Sequence, residues 1–379
     1  MFAIHKLYRP LLEGGAPARR YVYLMIGSLI AVFLVFSYHA APITISQLRS
    51  SMGKFDILSQ TTKAPTEPPG AIYGPYVKYW QGKHWTGWPN VQHAIIFGDS
   101  WSTTAFEPAE EPPRPDNPIG NPPYPGAAAC NGANWVGYFT TVFNESLVLT
   151  LNMAAGGATV DMDLIAPGVP HSTLRSLKTQ IVEQFPALYG KPPETYPWTA
   201  DSSIFIIWIG LNDIHNADEE TQHNFPAEFV EYAAYADLLY QTGARNIMFM
   251  NIPPIERAPL AEIIDTYDDW HLWVAGWNAN LTSLVYNFRA HHPDATVFLF
   301  DTFKLYDDVM NEPCLFPESC GFEVTTKFCP TYAFGAPSLT YLDPKCPHSI
   351  DKYFWMNDLH PTTRTHNMTA HAIAQALST

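Results

Sequence analysis

Basic charge is scarce in this chain of 379 residues: 21 lysines and arginines against 36 aspartates and glutamates leave a formal net charge of −15 at pH 7. Nucleic-acid binding needs clustered Lys and Arg to neutralise phosphates, and no basic run exists beyond the extreme N-terminus, so nucleic acid is excluded as a partner. Cysteine is scarce as well. None of Cys130, Cys314, Cys320, Cys329 and Cys346 forms a C-x-x-C pair, which leaves no zinc-type spacing. The chain also lacks a phosphate-cradling G-x-x-x-x-G-K, a G-x-S-x-G nucleophile elbow and any internal repeat. No motif calls for a metal or an organic cofactor. Charged residues amount to 15% while aromatics reach 14%, a balance that excludes a disordered chain and suits an extracellular one.

What is present begins with an export signal. Lys6, Arg9, Arg19 and Arg20 precede the apolar tract YVYLMIGSLIAVFLVFSY, residues 21–38. A helix of that length spans about 27 Å, close to the hydrocarbon thickness of a bilayer, and basic residues in front hold the N-terminus in the cytoplasm. The tract is longer than the core of a typical cleaved signal, and Ala40-Ala41 is a weak match to a cleavage site. It is read as a transmembrane signal anchor, with a cleaved signal peptide as the alternative. Residues 1–20 are then cytoplasmic, 39–72 form a linker rich in Ser, Thr, Pro and Lys, and 73–379 form the exported module. Sequons at Asn144, Asn280 and Asn367 agree with export. So do cysteines concentrated late in the chain. Disulfides are expected within 314–346, with one thiol left over and no readable pairing.

Between two proline-rich loops, short apolar runs alternate with helical patterns. The strand candidates are HAIIF, LVLTLNMA, SIFIIWIG, NIMFMNIP and TVFLFD, near-continuous apolar runs of the kind buried on both faces. The helix candidates are LRSLKTQIVEQF, AEFVEYAAYADLLYQTG with Gly243 as its stop, HLWVAGWNANLTSLVYNFRAHHP and the C-terminal TRTHNMTAHAIAQAL. This alternation predicts a parallel sheet covered by helices on both faces, and in such sheets ligands sit beyond the carboxyl ends of the strands.

Small or polar clusters follow those strands. Gly98-Asp99-Ser100 follows the first, NMAAGGAT with Gly156 and Gly157 the second, and Gly210-Leu211-Asn212-Asp213 the third; FWMNDLHPT sets His360 before the last helix. On one rim these would supply a nucleophile, backbone donors, an amide donor and a base, the parts of an acyl-transfer site. Each has a plainer reading: a turn serine, a glycine in a strand-to-helix turn, an Asx-turn, or one more histidine among fourteen.

The four blocks, in this order over roughly residues 95–363, resemble the SGNH (GDSL-type) hydrolases, and their flanking sequences look most like the fungal acetyl esterases of carbohydrate-esterase family sixteen. The resemblance implies a flavodoxin-like three-layer α/β/α sandwich with a five-stranded parallel sheet. It implies Ser100 as nucleophile, His360 as general base, and an oxyanion hole from the Ser100 N–H, the Gly157 N–H and the Asn212 side chain. Gly156 is the rival of Gly157 by one position, and Asp213 is given a structural role. The acid expected three residues before the histidine is replaced by Asn357, with Asp358 two before. A full charge opposite an imidazolium contributes more than an amide, so Asp358 is preferred and Asn357 is the alternative. Among the aromatics, Trp80, Trp85 and Trp88 are expected to pack. Trp101, which follows the nucleophile, is expected at the rim against substrate. The activity implied is serine-esterase removal of short, acetyl-type groups from an acylated carbohydrate. A lipase or phospholipase of the same fold, or a degenerate carbohydrate-binding surface protein, is the alternative.

Overall fold

Five strands do form where the apolar runs predict them: β3 (His93–Gly98), β4 (Leu149–Asn152), β5 (Ser203–Trp208), β6 (Asn246–Met250) and β7 (Thr296–Phe300). These five run parallel to one another. Every residue of β3, β5 and β6 is buried, which explains why these runs lack the polar alternation of a half-exposed strand. The computed structural model describes residues 66–168, 174–218 and 220–379. The segment expected to be cytoplasmic, the expected signal anchor at 21–38 and the expected linker up to residue 65 lie outside the described residues. Among those described, no helix is long and apolar enough to cross a membrane.

The sheet departs from expectation in size and direction. Among the described residues it has seven strands, not five, in the order β1-β2-β7-β6-β5-β3-β4. A short hairpin of β1 (Ile72–Gly74) and β2 (Val77–Trp80) adds antiparallel strands to the β7 edge, so the sheet is mixed. Residues 72–74, of which only Ile72 was read as linker, are thereby part of the sheet. Just before them, Glu67 pairs with Lys78 at 2.5 Å and accepts a hydrogen bond from the Tyr286 hydroxyl at 3.0 Å.

Within the parallel part, the first strand of the chain sits inside and the second at the edge. That order reverses between β3 and β5, and this switch point is where a crevice opens beyond the strand ends. Right-handed crossovers put the helix between β3 and β4 on one face and those after β5 and β6 on the other. The packing agrees. α1 (Trp135–Thr141) lies against the C-terminal helix, while the long helices after β5 and β6 pack on each other. In chain order the remaining helices are α2 (Phe185–Leu188), α3 (Leu211–Asn216), α4 (Phe225–Thr242), α5 (Pro259–Ile264), α6 (Tyr267–His291), α7 (Thr302–Asn311) and α8 (Thr363–Leu377). α4 begins with Pro226 in its first turn and stops at Gly243 as predicted. α6 carries Asp268 and Asp269 in its first turn and Arg289 in its last, each charge favourable to the helix dipole. The predicted helix at 174–185 is shifted. Thr179–Gln184 winds as a π-helix and runs directly into α2.

Two disulfides, Cys314–Cys320 and Cys329–Cys346, staple the region before α8, and Cys130 is a buried free thiol. The second closes a small apolar cluster of Tyr332, Ile350, Tyr353 and Met356. That cluster ends one residue before Asn357, so the stapled lobe supports the loop carrying His360.

Candidate active site

The Gly98-Asp99-Ser100 turn leaves β3 as a single helical turn. The Asp99 backbone carbonyl accepts from the Ser102 and Thr103 N–H groups at 3.1 and 2.9 Å, and its side-chain Oδ1 accepts from the Trp101 N–H at 3.0 Å. Two asparagines that sequence reasoning missed hold the far side of this turn. Asn134 donates to the Ser102 and Thr103 carbonyls at 2.9 and 2.8 Å, and Asn152 donates to the Ser102 carbonyl at 2.7 Å. Both are fully buried. Asn134 could have been suspected as a helix N-cap: its side-chain Oδ1 accepts from the Val136 and Gly137 N–H groups at the start of α1.

His360 reaches this turn across 260 residues of sequence. Its Nε2 lies 2.9 Å from Ser100 Oγ. On the other side of the ring, Nδ1 lies 3.3 Å from Asn357 Oδ1. That same oxygen accepts from the backbone N–H groups of His360 at 2.7 Å and Leu359 at 3.0 Å, so the turn that presents the histidine also aims the amide at it. The preference for Asp358 is therefore corrected. Its backbone carbonyl accepts from the Leu260 N–H at 2.8 Å, but its carboxylate makes no hydrogen bond to His360. A compact Asx-type turn leaves room under the ring for the residue three positions back, not two. Burial, with the nearby His215, pushes the His360 pKa down to about 4. The ring is thus neutral at neutral pH, with Nδ1–H donated to Asn357 and the Nε2 lone pair facing Ser100.

Gly157 has φ of 77°, a left-handed conformation that disfavours any side chain, within the loop that leaves β4. Asn212 opens α3 and is nearly buried; its Nδ2 donates to the Ala158 carbonyl at 3.0 Å. Its neighbour Asp213 is fully buried and accepts from the Val160 N–H at 2.9 Å. The two adjacent residues thus tie the glycine loop to α3. Gly210, just before α3, has φ of 119°, and a Cβ there would come within 2.5 Å of the Trp277 indole. The glycine is required for α3 to start where it does. Around these elements burial raises carboxyl pKa values, Asp99 to about 8 and Asp213 to about 6.

Trp101 is not at the rim, and this expectation is corrected too. It is 1% exposed, stacked on Tyr306 and set edge-on to Trp208 and Trp355. One position along a helical turn rotates the side chain by roughly 100°, which sends Trp101 into the core while Ser100 faces out. Trp80, Trp85 and Trp88 are buried as expected. Among the described residues, no group of His, Cys, Asp and Glu is arranged to hold a metal ion.

The model of the GDSL-like lipase/acylhydrolase family matches residues 95–373, from within β3 to within α8. The chain belongs to this family. This GDSL-type chain is accordingly a carboxylic ester hydrolase. It is 30% identical to an acetylesterase of Thermothelomyces thermophilus, over 76% of this chain and 88% of that protein. It is 25% identical to a GDSL esterase/lipase of Arabidopsis thaliana, over 46% of this chain and 54% of that one. A solved carbohydrate acetylesterase from Sinorhizobium meliloti matches 75% of this chain and 96% of its own, at TM-score 0.40 and 10% identity.

Proposed function

We propose that this hydrolase removes short acyl groups, acetyl foremost, from carbohydrate through an acyl-enzyme on Ser100. The observation that carries the reading is the 2.9 Å contact between Ser100 Oγ and the Nε2 of a neutral, buried His360. Likeness to the acetylesterase over most of both chains supports acetyl as the group removed.

In this reading Ser100 Oγ attacks the ester carbonyl carbon as its proton passes to His360 Nε2. The carbonyl oxygen becomes an oxyanion, met by the N–H groups of Ser100 and Gly157 and by the Asn212 amide. Collapse of the tetrahedral adduct breaks the bond to the sugar oxygen, which takes the proton from His360. Water then attacks the acyl-serine with His360 again as base, releasing the carboxylic acid and restoring Ser100. Asn357 keeps the proton of the neutral ring on Nδ1 without adding charge. The same reading puts the module outside the cytosol, anchored by residues 21–38, and the two disulfides support an oxidising compartment.

The test is hydrolysis of p-nitrophenyl esters of increasing acyl length, together with acetate release from acetylated xylan. The expected result is highest kcat/KM for acetyl, a steep fall by octanoyl, and acetate released from the polymer. Rising activity with chain length favours a lipase. No hydrolysis by folded protein favours a carbohydrate-binding role.

A further inference from the structure

Where β4 peels away from β3, something has to replace it. The Met153 N–H still bonds the Ile96 carbonyl at 2.7 Å, but β4 ends at Asn152 and the chain turns off into the loop that carries Gly157. Gly98, two residues beyond Ile96 and two before Ser100, would be left with its β4-facing groups only partly met. Its carbonyl is reached by the Ala155 N–H at 3.1 Å. Its own N–H has no strand partner on that side.

A side-chain amide fills the gap. Gln180 Oε1 accepts from the Gly98 N–H at 2.9 Å, and Gln180 Nε2 donates to the Gly98 carbonyl at 2.8 Å. The second Nε2 proton goes to the Arg175 carbonyl at 3.0 Å. All three hydrogen-bonding directions used by this fully buried amide are therefore committed to backbone. Gln180 sits in the π-helical segment Thr179–Gln184, and π-turns gather at functional sites. The segment is anchored at its start to the exit of the glycine loop, through Leu177 N–H to Thr159 carbonyl at 2.9 Å and Lys178 N–H to Val160 carbonyl at 3.1 Å. One short stretch, 177–180, thus touches both the strand end that presents Ser100 and the loop that presents Gly157.

From this geometry we infer that Gln180 is a positioning residue for ester hydrolysis: its amide substitutes for the missing strand and fixes the nucleophile turn against the oxyanion loop. The inference rests on the proposed Ser100 mechanism. It requires the amide as a two-point donor and acceptor, not merely as a filler of space. A misplacement of about 1 Å between reacting groups costs about a hundredfold in rate, so loss of this pairing is expected to appear in kcat.

The test compares wild type, Gln180→Met and Gln180→Glu on p-nitrophenyl acetate across pH 5 to 9, with melting temperature measured in parallel. Gln180→Met keeps length and removes both bonds to Gly98 and the one to Arg175; the expected result is a fall in kcat of about tenfold to a hundredfold with KM within threefold. Gln180→Glu supplies the deciding readout. As a protonated acid it offers one O–H donor and one carbonyl acceptor, and can repeat the pairing with Gly98; as a carboxylate it cannot donate. Its kcat relative to wild type is expected to recover at low pH and fall as pH rises. If Gln180→Met fails to fold, this pH-dependent recovery still decides the matter. Activity of both variants within twofold of wild type at every pH, or loss in Gln180→Glu independent of pH, overturns the inference while leaving the Ser100 mechanism intact. A wild type that does not hydrolyse the ester overturns the Ser100 mechanism, and the positioning role with it.

Discussion

Replacing Asn357 by aspartate should shift this hydrolase's working range toward alkali. With a pKa of about 4, His360 is about nine-tenths neutral at pH 5, where an unperturbed imidazole is only about 3% neutral. Burial and His215 hold it low, and the amide oxygen 3.3 Å from Nδ1 adds no charge to oppose them. Asn357→Asp puts a carboxylate at that distance, and an opposite charge this close raises an imidazole pKa by ~1–3. The acid limb of kcat/KM, which reports the free enzyme's base, should then move from near pH 4 to ~5–7. At pH 5 activity should fall by a factor between about two and about ninety. At pH 8, where the base is neutral in both proteins, the new carboxylate stabilises the imidazolium formed in the transition state, and kcat should rise by less than about tenfold for each pKa unit gained. Initial rates on a soluble acetyl ester from pH 3.5 to 9, in a constant-ionic-strength buffer, resolve both limbs. An acid limb unmoved or moved down would refute the claim that Asn357 faces a His360 acting as the base.

Two further substitutions probe the surrounding parts. Asn212→Ala should lower kcat on p-nitrophenyl acetate by ~10²–10³ with little change in KM, the signature of a donor used in the transition state; a rise in KM alone would reduce Asn212 to a support for the Ala158 loop. Trp101→Ala empties a site walled by Tyr306, Trp208 and Trp355 and should cost ~3–5 kcal/mol in urea unfolding; unchanged stability with weakened binding of sugar substrates would return Trp101 to the rim.

The parts of the fold that were legible in sequence are those where burial leaves a plain signature. β3, β5 and β6 are apolar on both faces, and the loops beyond them carry the glycines and polar residues of the site, so their positions could be read directly. The β1–β2 hairpin escaped because its strands have three and four residues, too few for periodicity, and because Tyr73, Tyr79 and Trp80 resemble any aromatic-rich stretch. Charge favoured Asp358 over Asn357, and the preference was wrong. What separates them is which carbonyl oxygen the Asx-type turn places under the ring, and that depends on backbone N–H groups no side-chain argument counts. Trp101 was misread because adjacency in sequence is not adjacency in direction along a helical turn. Asn134 and Gln180 lie outside the four motif blocks and Asn152 opens one of them, but the role of each was hidden because it bonds backbone groups distant in the chain.

The central claim, that Ser100 is a nucleophile activated by His360, is tested most directly by intact mass after incubation with a serine-directed organophosphonate. One adduct per chain, mapped to Ser100 and lost in both Ser100→Ala and His360→Ala, is the predicted result. A folded wild type that stays unmodified, or an adduct on another residue, would contradict it.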